Sequence, residues 1–311
     1  MSVGLILVVA LILVVLANVV LEVIAKWRNP PIGKFLEIDG ARLHYIDRGS
    51  PDSPPLVMFH GNGTLIQDLI ISGLVDNAAG EFRVICFDRP GFGHSTRPRS
   101  RFWSPQKQAE LFAAALDQVG VKRAVVLGHS WGALVALAMT AQKPELVKGL
   151  VLVSGYYFPS WRIDAMFAST AAIPLLGDAL RYTISPVSTW LALPFLAKKA
   201  FAPKRVPEIV KREYPRLLLL RPGQLRAVAE DSAFLLPGAA SLTGIYQQLD
   251  CPTAIIAGLA DEVVNSDQAL RLEKSMRRAT VTRVPELGHM LHYFVAEEIV
   301  RSAALINAKT V

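Results

Sequence analysis

Cysteine is nearly absent from the chain. Two residues, Cys86 and Cys251, in 311 leave no disulfide framework and no spacing for a structural zinc site. Cys86 falls in an apolar strand-like run and Cys251 just before another, so both read as buried free thiols. No internal repeat or low-complexity tract is present, which excludes solenoid and array architectures. The formal charge is +7, yet the basic residues are scattered, among them Arg97, Arg99, Arg101, Lys198, Lys199, Lys204 and Arg205. No aromatic-interleaved basic patch or nucleic-acid motif accompanies them, so nucleic acid is not an expected partner. Attraction to anionic lipid headgroups is the preferred reading, with plain solvated surface as the alternative.

The most telling absence is charge at the start. From Val3 to Leu21 no ionisable side chain occurs, and Asn18 is the one strongly polar residue. At about 1.5 Å rise per residue, such a helix nearly crosses a hydrocarbon core of roughly 30 Å. Glu22 ends the run, and Lys26, Trp27 and Arg28 follow as interfacial anchors. Met1-Ser2-Val3-Gly4 lacks the basic side chain that opens a cleaved signal peptide, and the apolar run exceeds the usual length of about 7–15 residues. The expectation is an uncleaved single-span anchor over residues 1–28 and a membrane location. Positive charge on the C-terminal flank places the remainder of the chain on the cytoplasmic side. The hydrophobic fraction of 52% agrees with one greasy segment joined to a globular body.

Chemistry concentrates downstream. Gly128-His129-Ser130-Trp131-Gly132 follows the apolar run Ala124-Val125-Val126-Leu127 and precedes the small-residue run Ala133-Leu134-Val135-Ala136-Leu137-Ala138. This is a G-x-S-x-G elbow in strand–turn–helix context, where a sharp turn pushes the serine hydroxyl out above a sheet edge. Gly128 and Gly132 leave room for the backbone to close.

A serine hydroxyl is a weak nucleophile at neutral pH, so it needs an imidazole to take its proton and a carboxylate to orient that imidazole. Asp261 follows the buried run Thr253-Ala254-Ile255-Ile256-Ala257, and His289 follows the alternating run Thr280-Val281-Thr282-Arg283-Val284. Glu262 and Asp267 are alternatives for the acid, and His292 for the base. His289 is preferred because it directly follows Gly288 in a loop, whereas His292 reads as the start of the last helix. Acyl transfer also needs donors aimed at a developing oxyanion. The N–H after the nucleophile, here Trp131, supplies one. The loop after the third strand, His60-Gly61-Asn62-Gly63, supplies the other through Asn62.

With these motifs in the order Ser, Asp, His, the chain resembles the α/β-hydrolase-fold enzymes over about residues 33–308. Asp88-Arg89-Pro90-Gly91-Phe92-Gly93-His94-Ser95 is similar to that family's D-x-x-G-x-G-x-S loop, which shapes the site. The His-Gly start and the Trp after the nucleophile resemble the epoxide hydrolase and haloalkane dehalogenase branch. That branch uses an aspartate nucleophile where this chain has Ser130, so its activities are not carried over. Tyr156, Tyr157, Tyr182 and Tyr214 are read as core or rim residues for the same reason. Prolyl aminopeptidase-like members share a Ser-Trp-Gly elbow, and membrane-anchored monoacylglycerol lipases resemble the overall layout.

The expected architecture is α/β: a mostly parallel eight-stranded sheet with helices on both faces and a helical cap inserted after strand six. The hydrolase core would comprise residues 29–155 and 250–311, and the cap residues 156–249. Phe35–Ile38 and Leu43–Ile46 read as an antiparallel hairpin around Asp39-Gly40. The β/α rhythm stops between Ser154 and Leu249, where Pro174, Pro186, Pro194, Pro203, Pro207, Pro215, Pro222 and Pro237 interrupt helical-looking sequence. Its apolar runs, Ala171 to Leu176 and Trp190 to Leu196, either line an acyl pocket, touch a membrane or pack on one another. The expected function is a membrane-anchored serine hydrolase acting on apolar, lipid-like esters through an acyl-enzyme, with no metal or organic cofactor implied. The rival readings are a prolyl-type aminopeptidase using Glu208, Glu213, Glu230 or Asp231 to hold a substrate amine, a cofactor-free perhydrolase or carbon–carbon hydrolase, and a binding module with an inactive triad.

Overall fold

A computed structural model describes residues 2–309. Eight strands form one sheet: β1 (Lys34–Ile38), β2 (Ala41–Arg48), β3 (Pro55–Phe59), β4 (Arg83–Phe87), β5 (Ala124–His129), β6 (Val147–Val153), β7 (Thr253–Gly258) and β8 (Ala279–Val284). Their order is β1-β2-β4-β3-β5-β6-β7-β8. β1 and β2 pair antiparallel across the Asp39-Gly40 turn, β2 joins β4 antiparallel, and every pairing from β4 to β8 is parallel. This is the eight-stranded, mostly parallel sheet that the alternating sequence predicts.

The two-residue period of a strand divides the core between the sheet faces. Val57 and Phe59 of β3 face one cluster with Ile85, Phe87 and Val126. Leu56 and Met58 face the other with Val84, Cys86 and Val125. The first face is covered by α4 (Pro105–Gln118), α5 (Gly132–Gln142) and α12 (Asp267–Ser275); the second by α2 (Ile66–Ile71), α3 (Leu74–Ala79) and α13 (Ala296–Ala308). α5 is buried from Gly132 to Thr140, which explains why its sequence is apolar on every side. Cys86 lies in β4 and Cys251 just before β7, and both are buried and free.

Between β6 and β7 the chain is helical: α6 (Ile163–Ser169), α7 (Leu176–Tyr182), α8 (Ile184–Phe201), α9 (Glu208–Glu213), α10 (Arg216–Leu219) and α11 (Pro222–Thr243). Tyr156, Tyr157 and Phe158 precede it and are buried in the main core, where Tyr246 donates its hydroxyl to Tyr157 O at 2.6 Å. α11 packs on α4, α5 and α6, so its buried stripe continues the core of the sheet domain.

The N-terminal helix α1 (Val3–Arg28) is long and apolar enough to cross a membrane, with a mean hydropathy of 3.2 over its best window. Two points tie it to the body. Asn18 donates its side-chain N–H to Tyr182 O at 2.8 Å, and Ala25 is buried among Leu65, Phe92, Leu218, Leu219 and Ala227. The single polar residue of the run is thereby spent on a helix contact.

Phe112 of α4 stacks against Phe59 and Phe87, with ring centroids 4.7 and 5.1 Å away. Phe112→Ala is expected to cost about 3–5 kcal/mol, read as a lower urea midpoint. Phe102→Ala, at an 82% exposed position, is expected to stay within about 0.5 kcal/mol. Equal effects at the two positions would contradict this packing.

Candidate active site

β5 runs into Ser130, and α5 begins two residues later. Ser130 has a φ of 52°, in the left-handed region that costs a residue with a side chain about 1–3 kcal/mol. The turn is held on both sides: Ser130 N–H donates to Val153 O at 2.9 Å, and Ser130 O accepts from Ala133 N–H at 3.0 Å. Its flanking glycines are obligatory. A Cβ on Gly128 would lie 2.6 Å from Ala133 Cα, and one on Gly132 would lie 2.3 Å from Phe59 O.

The structure brings Ser130, His289 and Asp261 together in one line. Asp261 follows β7; its Oδ1 accepts from the N–H groups of Val263 and Val264 at 2.7 and 2.8 Å. Its Oδ2 is left to accept from His289 Nδ1 at 2.8 Å. A proton on Nδ1 makes Nε2 an acceptor, and the Ser130 hydroxyl lies 2.9 Å from it. Glu262 is exposed, and Asp267 sits in the first turn of α12. His292 lies in a 3-10 turn, Leu291–Tyr293, rather than opening the last helix, which starts at Ala296. Its Nε2 pairs with Asp68 at 3.1 Å, and the Tyr293 hydroxyl donates to the same carboxylate at 2.8 Å. Asp68 therefore holds the segment that follows His289.

His129 supports His289 from below, its Nε2 donating to His289 O at 3.2 Å. Burial, with His292 and His289 alongside, pushes the His129 pKa well below the usual histidine value. It stays a neutral, structural imidazole.

The loop after β3 is gripped by Arg89. Its Nε donates to His60 O and its Nη2 to Gly61 O, both at 3.0 Å. A trans peptide points its C=O and the following N–H in opposite directions. Taking Gly61 O therefore turns the Asn62 N–H away from Arg89. His60 donates from Nδ1 to Gly61 O at 2.8 Å and accepts the Arg89 N–H at Nε2 at 3.0 Å. Burial, reinforced by the Arg89 charge, lowers its pKa to about 3. The Asn62 side chain donates to Val228 O at 3.2 Å and Ser232 Oγ at 3.1 Å, both on α11. Trp131 is the N-cap of α5, at the helix end where backbone N–H groups lack an intrahelical acceptor, and its indole donates to Asp231 O at 3.0 Å.

Asp231 is the functional-site residue whose role sequence reading missed. It is fully buried and accepts from Arg89 at 2.5 Å, Arg97 at 3.0 Å and Gln108 at 3.3 Å. The other carboxylates weighed for binding an amine are also engaged. Glu230 pairs with Arg97 and Arg226, Glu208 with Lys211, and Glu213 with Arg212. Asp231 and Glu230 are thus held by arginines, whereas Glu208 and Glu213 make only exposed surface pairs.

A family model described as alpha/beta hydrolase fold matches residues 54–295. The chain is 27% identical over 296 residues to 2-hydroxymuconate semialdehyde hydrolase of Pseudomonas sp. (strain CF600), covering 91% of this chain and 95% of that protein. It is 28% identical over 130 residues to haloalkane dehalogenase 2 of Mycobacterium tuberculosis (strain CDC 1551 / Oshkosh), a match spanning 41% of this chain and 43% of that protein. The chain thus matches less than half the length of those dehalogenases. Among solved structures, a membrane phospholipase A, described as a novel bacterial virulence factor, superposes with a TM-score of 0.69. It is 21% identical and covers 99% of this chain and 97% of its own. At that identity the likeness is one of fold.

The buried neutral histidines give the site a pH signature. Unfolded, His60 and His129 take up protons below about pH 6.5. Folded, His60 does so only near 3, and His129 well below its usual value. Their stabilisation is complete above about pH 6.5 and falls as pH drops below it, for His60 by about 1.4 kcal/mol per pH unit toward 3 and for His129 in the same direction. Urea midpoints measured from pH 7.5 down to 4.5 are expected to decline over that window; a flat profile would contradict the burial of these rings. Asp231→Ala leaves two buried guanidinium groups short of an acceptor and is expected to destabilise by about 3–5 kcal/mol in the same assay.

Proposed function

The chain belongs to the alpha/beta hydrolase fold family, and from that premise we propose that it is a membrane-anchored serine hydrolase of apolar carboxylic esters. The observation that carries the reading is the hydrogen-bonded line from Ser130 Oγ through His289 to Asp261, at 2.9 and 2.8 Å. Ser130 Oγ attacks the ester carbonyl as its proton passes to His289 Nε2. Asp261 holds the imidazole in the Nδ1–H tautomer and stabilises the cation formed. The N–H groups of Trp131 and Asn62 receive the oxyanion, each such donor contributing about 3–4 kcal/mol in comparable enzymes. His289 returns the proton to the leaving alcohol. Water, activated by the same imidazole, then attacks the acyl-enzyme and frees Ser130.

The lipid-like substrate class rests on α1 and on the apolar segments of the helical insertion, residues 156–249, which we treat as a cap. The reading includes a cytoplasmic hydrolase domain, which Lys26 and Arg28 in the last turn of α1 support through the positive-inside rule. Protease protection of inverted membrane vesicles tests that side: full protection of the domain would reverse it. A second reading, hydrolysis of a carbon–carbon bond, is supported by the similarity to 2-hydroxymuconate semialdehyde hydrolase along 91% of the chain. It uses the same three residues and differs in substrate.

Labelling of the full-length protein in membranes by a fluorophosphonate probe decides the chemistry. Wild type is expected to label, and Ser130→Ala to lose the label together with at least about a thousandfold of ester turnover. A folded wild type that does not label contradicts an activated serine. Turnover of monoacylglycerols and p-nitrophenyl esters of rising chain length, set against a vinylogous carbon–carbon substrate, separates the two readings.

A further inference from the structure

α8 carries an apolar stripe with no protein to cover it. Ile184, Val187, Leu191 and Phe195 follow one another at helical spacing and are all exposed, Phe195 to 76%. From Thr183 to Ala197 no charged side chain interrupts the segment. Leu175, 83% exposed in the turn before α7, and Met166 and Phe167 of α6 are exposed apolar side chains of the same insertion. Leu175 is held there at a φ of 65°, a strained backbone that keeps its side chain outward. Contiguous exposed apolar surface of this extent marks an interaction face in a folded domain.

What covers it is indicated by its neighbours. α8 begins beside α1, where Tyr182 O accepts from Asn18 at 2.8 Å. Beyond that contact an open groove of about 630 Å³ separates the two helices, walled by Ala10, Leu11 and Val14 on one side and Ile184, Val187 and Leu191 on the other. One medium must fill it. If the α1 wall lies in hydrocarbon, the α8 wall does too. At its other end α8 meets the site: Met290 N–H, next in the chain to His289, donates to Ala200 O at 3.1 Å, and Phe201 packs edge-on against Tyr293. Lys198 and Lys199 in the last turn, with Lys204 and Arg205 just beyond, are exposed beside this junction. Basic residues in that position suit an anionic headgroup layer.

We propose that α6–α8 form a second, non-spanning membrane element that enters the bilayer hydrocarbon beside α1, so that an apolar ester reaches Ser130 from the bilayer. This deepens the membrane-anchored reading and rests on it. α8 contains Pro194, carries no charge from Thr183 to Ala197 and ends in Lys198 and Lys199, so its body suits hydrocarbon and its last turn suits a headgroup layer.

The test uses the full-length protein in phosphatidylcholine/phosphatidylglycerol vesicles, with single introduced cysteines carrying an NBD label. The sites are Leu191→Cys and Phe195→Cys on α8, Leu13→Cys on α1, and Lys143→Cys at the end of α5 away from Ser130. Nitroxide lipids are expected to quench the labels at 191, 195 and 13, with iodide quenching only the one at 143. Iodide quenching at 191 and 195 with lipid quenching at 13 overturns the inference and leaves the anchor standing. Iodide quenching at 13 removes the anchor as well. Protection of 191 and 195 from both quenchers means that another protein copy covers the face, which also overturns the proposal. A double Leu191→Glu, Phe195→Glu variant is expected to lose turnover of vesicle-embedded ester while retaining that of a water-soluble short-chain ester. Equal loss on both substrates would mark α8 as merely structural.

Discussion

The buried ion pair between Arg89 and Asp231 is the contact on which the site's geometry depends. Both side chains are fully buried, 2.5 Å apart, and come from positions 142 residues apart. Burying two charges costs several kcal/mol per ion, and attraction offsets this only when the remaining hydrogen-bonding capacity is used. Here it is used. Asp231 also accepts from Arg97 and Gln108, and Arg89 also donates to His60 O and Gly61 O. The guanidinium lies over the Trp131 ring with its carbon 4.5 Å from the centroid. One ion pair thus joins the loop after β3, the loop after β4, the start of α5 and the middle of α11.

That junction explains how a strained nucleophile is kept in place. Ser130 sits at a φ of 52°, and such a conformation persists only where the surroundings over-determine it. The next residue, Trp131, is fixed by its indole on Asp231 O, and the facing loop is fixed by Arg89. On the other side, Asp88 binds Ile66 N–H at 3.0 Å, His94 N–H at 3.0 Å and His44 Nδ1 at 2.7 Å. Burial opposes its ionisation, but His44 and these donors win and hold its pKa at about 2. The D-x-x-G-x-G-x-S loop, which carries no reacting group in the proposed mechanism, is therefore a load on which the oxyanion loop rests.

How much of this could be read from the chain follows from whether a signal is local. The strands, the elbow around Ser130, the Gly-His289 loop and the apolar N-terminal run are each contiguous in sequence, and their positions agree with the structure. Asp261 was preferred to Glu262 from its place just past a buried run; the reason it is fixed, two backbone N–H groups on one carboxylate oxygen, is visible only in the side chains. Asp231 was visible only as one of several carboxylates in the insertion. A signal did exist: Ala227, Asp231, Leu235 and Ala239 share a helical stripe, and the other three are apolar and buried. A carboxylate on such a stripe must be paired, but its partners lie far off in sequence and carry no motif that names them. The groove between α1 and α8 was illegible for the same reason, because neither helix announces its neighbour.

The insertion thus has two sides with different work. α11 faces inward and braces the loop after β3 and the elbow, while α8 presents its apolar stripe outward and ends against the residue following His289. The account stands or falls on a covalent step at Ser130. Intact-protein and peptide mass spectrometry of the full-length enzyme, acid-quenched during turnover of a p-nitrophenyl octanoate, reads that step directly. An octanoyl adduct on the peptide containing Ser130, absent in Ser130→Ala, is the predicted result. Continued turnover with no adduct, or an adduct on another residue, would contradict it.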